Sequence, residues 1–168
     1  MDYSDAKRII SKYNFNFAAM DEAGELDLYE SYNVPPEVED KWGFDKINVY
    51  IDSINSIKKE QAEDILMLMR AIFSISRYIT DDQIILLYNA FSEKVKNVNF
   101  LIEKQCYSTY YSIMAPHLKA DKLNLIEILK KISNRYKEIL NSSKGSTYRE
   151  MQRQSLDFYE GVISKYSR

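Results

Sequence analysis

The chain has little of what most active sites are built from. Among its 168 residues there is one cysteine, Cys106, one histidine, His117, one tryptophan, three prolines and four glycines. A lone cysteine closes no internal disulfide, and a lone histidine removes most zinc sites and catalytic triads. The glycines form no phosphate-cradling loop: Gly145 follows Lys144, and its nearest glycine is Gly161, so Gly-x4-Gly-Lys is missing. A ferritin-type di-iron site needs Glu-x-x-His on two helices, whereas Met114 stands three residues before His117. A helical ribonuclease of the Arg-x4-6-His kind is disfavoured too, since no arginine stands among Tyr110, Tyr111, Ser112 and Ile113. Ser56-Ile57-Lys58-Lys59 fits Ser-x-x-Lys without the companion motifs of that acylase class. In the acidic stretch Asp21–Glu30, Gly24 falls in the wrong place for a calcium loop. No cofactor and no metal are expected.

Long hydrophobic runs are also missing. The start of the chain carries Asp2, Asp5, Lys7, Arg8 and Lys12 and does not read as a secretory signal, so a cytoplasmic location is expected. The longest charge-free stretch, Gln105 to Leu118, is interrupted by Ser108, Thr109, Ser112 and Pro116. It is too short and too polar to span a bilayer. Asn141-Ser142-Ser143 matches a glycosylation acceptor that has no use without export.

What the chain does have is helical periodicity. Apolar residues are 45% and charged residues 29% of the whole, the balance of a folded domain and not of a disordered chain. The apolar positions predict an all-α fold: an antiparallel helical bundle of about five or six helices. One domain is expected, with residues 1–58 as an acidic N-terminal segment packing on a bundle core of residues 59–168. Between Gln61 and Ile79, apolar residues on several sides, including Ile65, Leu66, Met69, Ile72, Phe73, Ile75 and Ile79, predict a central helix. Thr80-Asp81-Asp82-Gln83 is a capping box that starts the next helix. Its stripe Ile84, Tyr88, Phe91, Val95, Val98, Ile102 is narrow enough to face one partner helix, in this chain or in a second copy. It runs either as one helix to Pro116 or with a break near Asn97–Asn99. Leu125, Leu129, Ile132, Tyr136 and Ile139 mark a further helix. After the turn cluster Asn141–Ser146, a second capping box at Thr147–Glu150 opens a last one, with Met151, Ser155, Tyr159, Val162 and Tyr166 inward.

The first third reads differently. Ser4 is placed to cap a short helix over Asp5–Tyr13. Phe15 and Phe17 alternate with asparagines, and Leu26 and Leu28 with acids, across Asp21-Glu22-Ala23-Gly24. That pattern predicts either a small N-terminal β-hairpin or irregular chain. Pro36 suits the first turn of a short helix that Gly43 ends, followed by a helix over Asp45–Ile57.

Charge is polarised along the chain. Residues 1–45 carry a net −7, residues 46–118 zero and residues 119–168 +5, summing to the overall −2. Asp21, Glu22, Glu25, Asp27, Glu30, Glu37, Glu39 and Asp40 lie in a stretch with no lysine or arginine. Such a surface attracts a basic protein partner and speeds its encounter, unless it is neutralised within the chain. Lys130, Lys137 and Arg153 offer phosphate contacts for nucleic acid, although Glu127, Glu138 and Glu150 are interspersed. Fourteen tyrosines are many for this length, and Tyr107, Tyr110 and Tyr111, with His117 nearby, form either an aromatic recognition surface or inter-helix packing. The preferred reading is a non-enzymatic interaction protein: an inhibitor, an immunity-type factor or a regulatory adaptor. The alternatives are a nucleic-acid-binding helical hairpin and an enzyme with a carboxylate or tyrosine site around Tyr107, Tyr110 and His117.

Overall fold

The structure, a computed structural model, describes residues 3–119, 123–142 and 146–167. It is all-helical, and the described residues contain no strand. The α-helices are α1 (Tyr3–Tyr13), α2 (Phe17–Glu22), α3 (Leu26–Glu30), α4 (Pro36–Ser56), α5 (Ala62–Ser74), α6 (Asp81–Phe91), α7 (Phe100–Met114), α8 (Leu123–Ser142) and α9 (Ser146–Tyr166). Three short 3-10 turns cover Lys59–Gln61, Ser76–Tyr78 and Ala115–His117. The helix count exceeds the five or six expected in part because the stretch around Phe15 to Leu28, read as hairpin or irregular chain, folds as the short helices α2 and α3. The chain forms two compact units, Met1–Ile113 and Met114–Arg168.

The expected β-hairpin is replaced by α2 and α3, and its residues show why. Asn14 and Phe15 take positive φ (51° and 62°), which turns the chain sharply after α1 and buries Phe15 edge-on against Tyr78. A bulky residue in the left-handed region costs on the order of 1–3 kcal/mol, so packing must hold it there. Asn16 then caps α2, its Oδ1 accepting from the Ala19 amide at 3.0 Å. Gly24 at φ 74° ends α2, with the Gly24 and Glu25 amides donating to the Asp21 and Met20 carbonyls at 3.0 and 2.8 Å. What resembled period-two alternation is a cap, a turn and a second cap.

Gly43 does not end a helix as expected. It lies inside α4, where a Cβ would sit 2.2 Å from Cγ of Tyr78. Glycine here allows the Tyr78 ring to close on the α4 backbone. At the far end of α4, the Lys94 ammonium donates to the carbonyls of Ile54, Asn55 and Ile57 at 2.8, 2.5 and 2.8 Å. A cation with three donors thus caps carbonyls that the helix leaves free.

The Thr80–Gln83 capping box forms in both directions, at 3.2 and 3.1 Å. Buried Gln83 also donates to the Phe44 carbonyl and to Asn48 Oδ1, each at 3.0 Å, which ties α6 to α4. After Phe91 the helix breaks. Asn97 turns at φ 61°, and Asn99 Oδ1 accepts from the Leu101 and Ile102 amides at 3.0 and 3.3 Å to start α7. The core of this unit is Ile47, Ile51 and Ile54 of α4, Ile65, Met69 and Ile72 of α5, Ile84, Leu87 and Phe91 of α6, and Tyr107 and Tyr110 of α7. Phe73, expected in the central stripe, is exposed.

In the second unit α8 and α9 pack antiparallel. Arg149 donates to the Leu140 carbonyl at 2.7 Å, Tyr136 stacks on Tyr159 at 5.5 Å between centroids, and Lys137 pairs with Glu160 at 3.3 Å. The stripe expected on α8 is buried from Leu125 to Ile139. On α9 the buried face is Gln152, Leu156 and Tyr159, while Met151 is exposed and Ser155 half-buried. Thr147 and Tyr148 of the second capping box lie outside the described side chains, as do Ser143, Lys144 and Gly145 of the turn cluster.

Candidate functional site: an acidic face on the N-terminal helices

The eight carboxylates singled out in the sequence divide into two structural and six surface groups. Glu25 is half-buried between α2 and α3. Its carboxylate takes the Lys12 ammonium at 3.2 Å and accepts a hydrogen bond from the Tyr13 hydroxyl, both from the end of α1. The Tyr13 bond first, then Lys12, holds the Glu25 carboxyl below its ordinary value, and Tyr13 first, then Glu25, raises the Lys12 ammonium.

Glu39 does the corresponding work on α4. Its Oε1 meets Arg77 Nη2 at 3.0 Å and accepts from the Tyr78 hydroxyl, both on the 3-10 turn before α6. The Arg77 guanidinium lies 4.1 Å from the Phe17 ring centroid and 4.7 Å from that of Tyr78. Burial above all, and the hydrogen bond to Glu39, push the Tyr78 phenol well above its usual range. The Tyr29 hydroxyl is buried without a hydrogen-bond partner among the described residues, and burial, then the Glu39 charge, push it up as well. One acid thus gathers α2, α3, α4 and the 3-10 turn around itself. Sequence reasoning missed Arg77, Tyr78 and Lys12 as the partners of these acids, because they come from other elements.

The remaining six, Asp21, Glu22, Asp27, Glu30, Glu37 and Asp40, are exposed and have no ion pair or hydrogen bond among the described residues. Asp27 and Glu37 stand in the first turns of α3 and α4, where the helix dipole favours an acid. Asp21 and Glu22 close α2, and Glu30 closes α3. There the negative end of the helix dipole disfavours a carboxylate, even though turn amides cap the Met20, Asp21, Asp27 and Tyr29 carbonyls, and no basic residue in either last turn offsets it.

The basic positions are placed otherwise. Lys130 pairs with Glu127 at 3.0 Å, Lys137 with Glu160 at 3.3 Å, and Arg135 with Glu138 at 3.1 Å. Arg153 is exposed. Two of the glutamates interspersed in the sequence, Glu127 and Glu138, pair with cations of their own helix.

Tyr107 and Tyr110 do not form an aromatic surface: they are 1% and 0% exposed. Tyr107 donates to buried Glu103 at 2.8 Å, Tyr110 donates to the Ile84 carbonyl at 3.0 Å, and both rings pack on Phe91. Tyr111 and His117 are half-exposed. Cys106 is fully buried, and desolvation pushes its thiol up to about 12, so it is no nucleophile at neutral pH. The stripe from Ile84 through Val95 is buried within the chain, leaving Val98 as its exposed member. Among the described residues no group of three or more His, Cys, Asp or Glu side chains is placed to hold a metal ion, and no helix is long and apolar enough to cross a membrane.

No protein-family model, curated protein or solved structure matches the chain.

Proposed function

We propose that this is a non-enzymatic interaction protein, of the inhibitor, immunity-type or regulatory-adaptor kind. It docks a basic protein partner through the acidic face formed by α2, α3 and the start of α4. The observation that carries this reading is the position of Asp21, Glu22 and Glu30 at helix C-termini, exposed and without cations. Carboxylates kept where they weaken their own helices serve something other than local folding, and a cationic protein surface is the partner such a field selects. Glu25 and Glu39 supply the rigid support, since each is locked by two donors from other elements.

The test is capture from the source cell at low and high salt. One bait carries amides at Asp21, Glu22, Asp27, Glu30, Glu37 and Asp40; a control bait carries amides at Asp52, Glu60, Glu63, Asp64, Glu150 and Asp157. A discrete basic protein should be retained at low salt by the wild type and the control, released by high salt, and lost from the first bait. Equal capture by both baits, insensitive to salt, contradicts the proposal.

A further inference from the structure

Beyond the acidic face, the first unit carries a second concavity of opposite character. A groove of about 270 Å³ opens between α1 and the middle of α4, floored by Ile10, Phe15, Trp42 and Val49. Phe15 enters this floor through the left-handed turn at Asn14 and Phe15, a backbone conformation that a phenylalanine adopts only when its surroundings enforce it. Val49 is more than half exposed, so the floor is open to solvent.

The rim decides the ligand. Lys7 and Lys46 border the groove, and neither has a carboxylate partner among the described residues; Lys46 lies over the Tyr50 ring at 5.1 Å. The one acid on the rim, Asp45, is already neutralised, both its oxygens lying 3.0 Å from the Lys41 ammonium. An otherwise acidic N-terminal region therefore presents two uncompensated cations over an apolar, aromatic floor. The volume falls just below the roughly 300 Å³ where pockets for drug-sized ligands begin, so the occupant is small. We infer that this groove binds a small aromatic carboxylate, its ring against Phe15 and Trp42 and its anion between Lys7 and Lys46.

Trp42 is the only tryptophan in the chain and lines the groove, so its emission reports occupancy directly. The probe is 3-phenylpropionate titrated into the full chain with excitation selective for tryptophan, beside acetate and 3-phenylpropan-1-ol. The expected result is a saturable change in emission with 3-phenylpropionate and none with acetate at equal concentration. The alcohol should bind about 2- to 30-fold more weakly, the range that two exposed ion pairs supply. The Lys7→Met/Lys46→Met protein should lose that same factor for the acid and keep its affinity for the alcohol. Val49→Asp, at an exposed position, should abolish the acid's signal with the helical circular dichroism unchanged. No saturable change, or equal affinity in wild type and both variants, overturns the inference. So does saturation only by a longer peptide ending in phenylalanine, which would make the groove a peptide site.

Discussion

The acidic helices α2 to α4 and the hairpin of α8 and α9 handle charge in opposite ways. On the hairpin three cations have an acid beside them: Lys130 has Glu127, Arg135 has Glu138, and Lys137 has Glu160, while Arg153 stands exposed. On α2 to α4, two acids are consumed in holding helices together and six face solvent alone. Exposed pairs like those of the hairpin contribute little to stability, but they weaken the local field at the lysines and arginines they engage. The unpaired acids have the reverse balance: a small cost to their own helices, and an undiminished field outside. Density of charge in the sequence therefore does not show which acids keep their field; the neighbours that the fold brings to each of them do.

The comparison can be broken most severely from beneath the acidic face. Gly43→Ala places a Cβ against the Tyr78 ring, whose movement would release Glu39 and Arg77. A loss of about 3 kcal/mol is expected in urea unfolding, at the upper end of the usual overpacking cost, together with loss of partner capture. An unchanged midpoint would show that the ring can move aside freely.

The hairpin supplies the opposite sign. Gln152 is fully buried, and among the described residues neither its amide nitrogen nor its oxygen has a hydrogen-bond partner. Gln152→Met should stabilise the protein by about 1–3 kcal/mol, raising the melting temperature, because it removes an unsatisfied amide while keeping the side chain's length. Destabilisation would mean the amide is satisfied in solution.

A smaller effect sharpens the contrast. Asp21→Asn, Glu22→Gln and Glu30→Gln together should stabilise the fold by roughly 1 kcal/mol in urea at low salt, from relief at the two helix ends. Glu127→Gln, Glu138→Gln and Glu160→Gln should instead leave stability unchanged or lower it by up to about 1 kcal/mol. If both triples behave alike, the two regions do not differ as described.

The smallest effect lies in the pH dependence of Glu25. Its carboxyl is held below the ordinary value of 4.5, so the folded state binds its proton more weakly than the unfolded chain does. The stability this contributes is fully present above 4.5 and is lost as pH falls through the lower folded value. Lys12→Met and Tyr13→Phe should each move the Glu25 carbon resonance titration back toward 4.5, and no movement would remove the assigned cause.

Much of the helical architecture was legible because its signals are local. Thr80 and Gln83 satisfy each other's amides across a few residues, and the stripe from Leu125 to Ile139 repeats along a single helix. The short helices α2 and α3 were missed because short apolar–polar alternation around Phe15 outweighed the capping asparagine at 16 and the left-handed glycine at 24. Gly43 misled for a different reason: its close neighbour Tyr78 belongs to another element, so only the folded chain shows what the missing Cβ accommodates. On α9, burial of the polar Gln152 shifts the inward face away from Met151. The acidic stretch was visible as composition, yet which acids are locked and which are free depends on Lys12, Tyr13, Arg77 and Tyr78 arriving from elsewhere.

The central claim is that the free carboxylates serve a partner at the expense of their helices. The most direct measurement is the salt dependence of partner association for wild type and for the Asp21→Asn/Glu22→Gln/Glu30→Gln protein, using the partner recovered by capture. The account predicts a weaker complex and a shallower slope for the triple variant, in a protein that is more stable than the wild type. Unchanged affinity and slope would contradict it.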